Sequence, residues 1–250
     1  MGIALSLAAA VAGIVYGEAG GEKLTMDYHR GAGSGPFPAA ILIEESAGEC
    51  VRILAPAGYA VFAIHPGPAA RSLYPAIIED ARMAVNFVRR NAPRWNVDGR
   101  KIVLIGGYLS NMAGVQAGKS VQAVVTFFGP SDFRGQPINE NLRGLLGPLI
   151  AAKGEAAALE EASPVMHIRP GAPPFLLIHG DQDEVVPLAQ STHLQLALQK
   201  ARARCDLIII QNGGHGAAGW RSLPGVRDWE GEMIEWLRVT LNQKTRRSAI

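Results

Sequence analysis

The chain has 250 residues, 48% hydrophobic and 18% charged. That is enough apolar material for a large core, and it excludes global disorder. Lys+Arg 24 against Asp+Glu 22 leaves a net charge of +2, too balanced for a protein that works on phosphate backbones, so no nucleic-acid partner is expected. Cys50 and Cys205 are the only cysteines, which excludes a disulfide scaffold and a cysteine-built zinc site.

Residues 3 to 15 form an uncharged run of small and apolar residues. Ala10-Val11-Ala12 resembles a signal-peptidase site, although no Lys or Arg precedes the run; an N-terminal helix is the alternative. The run suggests export, to the periplasm or the medium, with a cytoplasmic protein as the other outcome. It is too short for stable membrane insertion, which takes about 20 residues. A single domain is expected over residues 16 to 243, followed by a basic tail from 244 to 250.

From residue 24 the pattern alternates between strands and helices. Leu24 to His29 alternates polar and apolar residues and predicts an edge strand. Ala39 to Ile43 and Tyr59 to Ile64 are continuous apolar runs, as in strands buried on both faces. A short helix is predicted over Glu49 to Ala57, ended by Gly58. Ile78 to Asn91 carries Ala81, Ala84, Val85 and Val88 at helical spacing, with acids near its start and Arg89-Arg90 near its end, as the helix dipole favours. Strands follow at Ile102 to Ile105, Ala123 to Phe128, Phe175 to Ile178 and Leu207 to Ile210, with helices over Leu188 to Ala201 and Trp229 to Leu241. This order predicts an α/β fold: one mostly parallel central sheet with helices on both faces. Residues 132 to 163, Gly-rich and weakly periodic, predict a small cap insertion over the carboxyl edge, where open α/β sheets bind ligands.

The loops after the strands are therefore where chemistry is expected. Asp181 and Asp183 follow one core strand, and Asn212-Gly-Gly-His215-Gly216 follows the next. An acid and a histidine on adjacent strand-end loops are the orienting half of a hydrolase triad: the carboxylate fixes the imidazole tautomer and the imidazole moves the proton. His179, at a buried strand end, predicts a satisfied core histidine. His29, His65, His167 and His193 show no metal-site spacing. No Gly-rich dinucleotide turn or phosphate loop is present, so no cofactor is expected.

Other segments join these loops in a recognisable order. They are Tyr74-Pro-Ala before Glu79-Asp80-Ala, the Val85-to-Arg89 helix, Asn96 to Gly107, Val124 to Asp132 with its Phe-Gly-Pro-Ser-Asp, and Ala162-Ser-Pro164. Together they resemble the α/β-hydrolase superfamily, in the bacterial acetyl- and feruloyl-esterase-like carboxylesterase branch related to dienelactone hydrolases. The resemblance covers residues 16 to about 240. It implies a carboxylic ester hydrolase acting on small acetyl or aryl esters, with Asp183 as the triad acid and His215 as the base. Asp181 fits less well, because the family's acid occupies the second of the two positions.

The resemblance also brings out two departures. The family's nucleophilic serine sits in a G-x-S-x-G elbow; here Gly106-Gly107-Tyr108-Leu109-Ser110 puts Tyr108 at the nucleophile position and Ser110 at the following glycine. A phenol, with a pKa of about 10 and an oxygen several bonds farther out, cannot replace serine in the same geometry. Ser110 could serve if the turn slips by two residues; with the helix starting in its usual place, two residues turn the side chain by about 200° and it points away. The oxyanion positions are Leu109, the residue after Tyr108, and the turn after Ile43, where a His-Gly-Gly-Gly-type sequence is replaced by Glu44-Glu45-Ser46-Ala47-Gly48. Two carboxylates there would repel an oxyanion, and capping the next helix is their alternative role. Two functions stay open: an esterase using Ser110 or a water activated by His215 and Asp183, or a non-catalytic protein of the same fold that binds a ligand or partner beneath the cap.

Overall fold

The structure, a computed structural model, describes residues 10–43, 47–65, 67 and 73–242. Its strands are β1 (Ala10–Ala19), β2 (Glu22–His29), β3 (Phe37–Ile43), β4 (Ala60–Ile64), β5 (Val97–Gly106), β6 (Ala123–Phe127), β7 (Phe175–Gly180) and β8 (Cys205–Ile210). They form one sheet in the order β1-β2-β4-β3-β5-β6-β7-β8. β2 pairs antiparallel with both its neighbours, and every pairing from β4 to β8 is parallel.

The parallel strands are apolar throughout because both faces are covered. Ile41, Leu104, Val124 and Leu177 face one core, against α2 (Ala76–Arg90), α3 (Tyr108–Ala117) and α6 (Ala189–Lys200). Their neighbours Leu42, Ile105, Val125 and Ile178 face the other, against α1 (Ala47–Leu54) and α7 (Trp229–Asn242). The pleat's period of two accounts for the division. The register aligns Ile43 with Gly106, Gly106 with Thr126, Phe127 with Ile178 and Gly180 with Ile210. The carboxyl ends of five strands thus share one edge, and the catalytic loops of an α/β sheet start there.

Two sequence expectations are corrected and one segment gains definition. Leu24 to His29 lies inside the sheet rather than at its edge, because β1 pairs along it. The helix alternative for the apolar run fails from Ala10 onward, where β1 is a strand, turned back through Gly20 and Gly21, both at positive φ (63° and 79°). Two such residues make the two-residue hairpin turn that matches strand twist. Residues 3 to 9 and the 244–250 tail lie outside the described residues. Finally, the 132–163 insertion is largely helical, with α4 (Glu140–Lys153) and α5 (Glu155–Glu161). The Asn139 side chain caps α4 by accepting from the Leu142 N–H at 2.8 Å. Gly144, Gly147 and Pro148 weaken its helical signal, and it buries only a narrow stripe, Leu146 and Leu149.

Candidate active site

The β7–α6 loop builds one side of the site. Asp183 has a fully buried side chain. Its Oδ1 accepts the backbone N–H groups of Val185 (2.9 Å) and Val186 (2.8 Å), which leaves Oδ2 pointing across to the next loop. There Oδ2 accepts a hydrogen bond from Nδ1 of His215 at 2.8 Å. Asp181 is instead exposed and accepts from the Asn212 N–H at 2.7 Å, tying the two loops together without touching a histidine. The loops approach so closely that a Cβ on Gly180 would lie 2.1 Å from the Gly213 carbonyl oxygen, so residue 180 must be glycine.

His215 sits in the turn after β8 with its side chain 36% exposed. With Nδ1–H committed to Asp183, the neutral ring carries its lone pair on Nε2, where it can take a proton from a bound molecule. The loop is held from below: Trp220, fully buried, donates its indole N–H to the Gly214 carbonyl at 2.9 Å. Phe128, after β6, lays its ring against the imidazole with centroids 4.4 Å apart. Neither Phe128 nor Trp220 is found by motif reading. The signal available was the pair Phe127-Phe128 at a strand end before Gly-Pro.

His179 is a core histidine with both ring nitrogens partnered. Nε2–H donates to the Val186 carbonyl (2.8 Å), also lying 3.4 Å from Asp183 Oδ2, and Nδ1 pairs with the Ser191 hydroxyl (2.7 Å). Burial pushes its pKa below the usual histidine value, outweighing the opposing pull of the Val186 carbonyl and of Asp183.

The β5–α3 turn carries Tyr108, Leu109 and Ser110. α3 begins at Tyr108 itself. The Tyr108 phenol donates to the carbonyl of Ala162, the residue closing α5, at 2.9 Å, and its ring lies 5.2 Å from that of Phe133. It works as a strut between sheet edge and cap. Nearby, Tyr74 (3.2 Å) and His167 (2.6 Å) both donate to the Glu161 carbonyl. Ser110 is wholly buried and donates to the Gly107 carbonyl at 2.9 Å, which also accepts from the Thr126 hydroxyl and the Asn111 N–H, both at 3.1 Å. Among the described residues no hydrogen bond joins Ser110, Tyr108 or any other hydroxyl to His215. The structure thus brings Asp183 and His215 together and turns Ser110 into its own helix turn. Leu109 is in the first turn of α3 and buried; Glu44 and Glu45 lie outside the described residues.

A cleft of about 300 Å³ opens between α4 and the β7–α6 loop, lined by Tyr108, Phe133, Leu142, Leu145, Val185 and Gln190 among others. None of the described residues lining it is charged. Its lining suits a neutral, largely apolar group, and His215 is not part of that lining. Among the described residues, no cluster of His, Cys, Asp or Glu could hold a metal ion, and no helix is long and apolar enough to cross a membrane.

A mostly parallel sheet of this order, with an acid after β7 bonded to a histidine after β8, is the arrangement of the α/β-hydrolase fold. Residues 43–198 match the BD-FAE family, and the chain belongs to it. It is 27% identical over 186 residues to esterase LipC of Mycobacterium tuberculosis, which covers 65% of this chain and 46% of that protein. The chain spans less than half the length of the curated relatives it matches. In fold it is similar to a truncated carbohydrate esterase from gut microbiota (TM-score 0.79, 22% identity, 96% of this chain and 98% of that one). It is likewise similar to the Thermogutta terrifontis esterase Est2 in its butyrate-bound form (TM-score 0.72, 19% identity, 97% and 98%).

Proposed function

We propose that this protein hydrolyses small neutral carboxylic esters, acetyl or aryl, by activating water at His215 rather than by forming an acyl-enzyme. The observation that carries the reading is the 2.8 Å bond from His215 Nδ1 to a buried carboxylate whose other oxygen is saturated by two backbone N–H groups. Such a carboxylate holds one tautomer and stabilises the imidazolium that forms on proton transfer. His215 Nε2 removes a proton from water as the water oxygen attacks the acyl carbon. The same proton then goes to the departing alkoxide, giving acid and alcohol. Positioned general-base catalysis of this kind contributes about 10²- to 10⁴-fold. Membership of the BD-FAE family, together with relatives described as esterases, supports the substrate class; the uncharged cleft supports neutral esters.

The phenol at the nucleophile position favours a second reading, a fold retained for binding a ligand beneath the cap without turnover. One experiment separates them: hydrolysis of p-nitrophenyl acetate and butyrate by the wild type, His215→Ala and Ser110→Ala, with intact-protein mass spectrometry during turnover. The water mechanism requires turnover that His215→Ala abolishes, Ser110→Ala preserves, and no covalent adduct accompanies. An acyl adduct on Ser110 would replace it with a displaced serine triad. A folded sample with no turnover above buffer would leave the binding reading.

A further inference from the structure

Phe128 is one of four non-glycine residues at positive φ among the described residues, at φ 38°. For a bulky side chain this is a genuine outlier, costing on the order of 1–3 kcal/mol, and it persists only where the surroundings impose it. Its effect can be read from the packing. Along β6 the side chains alternate, with Val124 on the α2/α3 face and Ala123, Val125 and Phe127 on the α1/α7 face. Continued alternation would send residue 128 to the α2/α3 face. Phe128 instead packs on the same face as Phe127. The left-handed turn carries the ring across the sheet edge to His215.

The turn is fixed on both sides. The Phe128 N–H donates to the Ile178 carbonyl at 2.9 Å, extending the β6–β7 ladder by one bond. The two carbonyls that follow, Gly129 and Pro130, both accept from the buried Asn111 side-chain amide at 3.2 Å. The ring then meets His215 at 4.4 Å (56°), stands edge-on to Trp220 at 5.7 Å (89°) and reaches His179 at 6.5 Å. Trp220 in turn bonds the carbonyl next to His215.

We infer that Phe128 is a positioning residue for His215: its strained backbone holds an aromatic platform against the imidazole, so that the ring keeps the one orientation in which Nδ1 faces Asp183 and Nε2 is turned away from it. Asp183 alone fixes one nitrogen and leaves rotation about that hydrogen bond open. The platform removes it. This inference rests on the proposed role of His215 in ester hydrolysis, but the orientation can be measured without turnover.

The test compares Phe128→Gly, Phe128→Leu and Phe128→Tyr. Glycine relieves the backbone and removes the platform, leucine keeps bulk without an aromatic face, and tyrosine keeps the ring. Long-range ¹H–¹⁵N spectra of the His215 imidazole report its tautomer and exchange broadening, and steady-state kinetics separates kcat from KM. Expected is a single sharp Nδ1–H tautomer in the wild type and Phe128→Tyr. In Phe128→Gly, mixed or broadened signals should accompany a kcat reduced about tenfold or more at nearly unchanged KM, with Phe128→Leu between. A folded Phe128→Gly protein with the wild-type imidazole spectrum overturns the inference. If the wild type shows no turnover, the ester-hydrolysis reading fails while the spectra still decide the role of Phe128.

Discussion

The substitution that probes the site most directly is Asp183→Asn, because the structure dictates how the new amide must lie. The Val185 and Val186 N–H groups, at 2.9 and 2.8 Å, need an acceptor at the Oδ1 position. Placing the amide nitrogen there would set donor against donor and forfeit two hydrogen bonds, about 1–3 kcal/mol for the pair at ordinary net values. The amide oxygen therefore stays at Oδ1, and the NH₂ group faces His215 Nδ1. The imidazole answers by moving its proton to Nε2, the position from which it would have to accept one. A histidine locked in the wrong tautomer loses about 10⁴-fold in rate, equivalent to about 5.4 kcal/mol of barrier at 1.36 kcal/mol per decade. We expect kcat for p-nitrophenyl acetate to fall 10³- to 10⁴-fold with KM little changed, and the melting temperature to stay near that of the wild type, since both backbone bonds survive. Asp183→Ala strands both N–H groups and should lose stability as well. An Asp183→Asn protein keeping kcat within tenfold of wild type would refute the dependence of turnover on this tautomer.

Other outcomes follow from single contacts. Ser110→Ala removes one of the three donors that described residues bring to the Gly107 carbonyl; denaturant titration should show a loss of only about 0.5–1.5 kcal/mol, and a larger one would mean the hydroxyl has a partner beyond its own turn. Tyr108→Phe keeps the ring against Phe133 but releases the Ala162 carbonyl. It should cost about 1 kcal/mol and raise amide exchange selectively in α5, with kcat altered less than tenfold; a greater loss would put the phenol in the chemistry. His179 has a folded pKa lowered by burial, so the unfolded chain binds its proton more readily. Its contribution is present above the ordinary value of about 6.5 and is lost as pH falls below it. His179→Gln should flatten stability between pH 7 and pH 5 relative to wild type, and an unchanged slope would exclude His179 as its source.

The parts of the fold legible in the sequence are those where one physical demand dominates. Ala39 to Ile43 and Phe175 to Ile178 are apolar at every position because helices cover both faces, and Ile78 to Asn91 shows its buried stripe at helical spacing. β1 was hidden because its first half, Ala10 to Val15, is apolar and uncharged, a composition that also suits a leader; the Gly20-Gly21 turn was the signal for a hairpin. α4 was hidden by Gly144, Gly147 and Pro148, whose cost the Asn139 cap and the burial of Leu146 and Leu149 offset. In the site, Asp183 and His215 were legible because strand ends deliver them. Phe128 was not, because a positive φ reverses the alternation from which its direction would be read.

Tyr108 takes its meaning from the same backbone. A serine elbow is a strained strand-to-helix turn that thrusts a short side chain outward. Here the positive-φ non-glycine positions among the described residues are Asn96, Phe128, Arg202 and Asn212; Tyr108 is not one of them, and it opens α3 behind Gly107, which takes up the turn at φ −109° and ψ −115°. The strained residue touching His215 follows β6, while the β5 turn supports a phenol that reaches the cap. Restoring only the hydroxyl should therefore not restore a nucleophile. Tyr108→Ser is expected to gain no acyl-enzyme, and to lose cap stability through the missing bond to Ala162. Mass spectrometry after treatment with an organophosphate ester reads this directly. Stoichiometric labelling at residue 108 would show that the elbow backbone survives and that the side chain alone sets this turn apart; an unlabelled, folded variant places the difference in the turn itself.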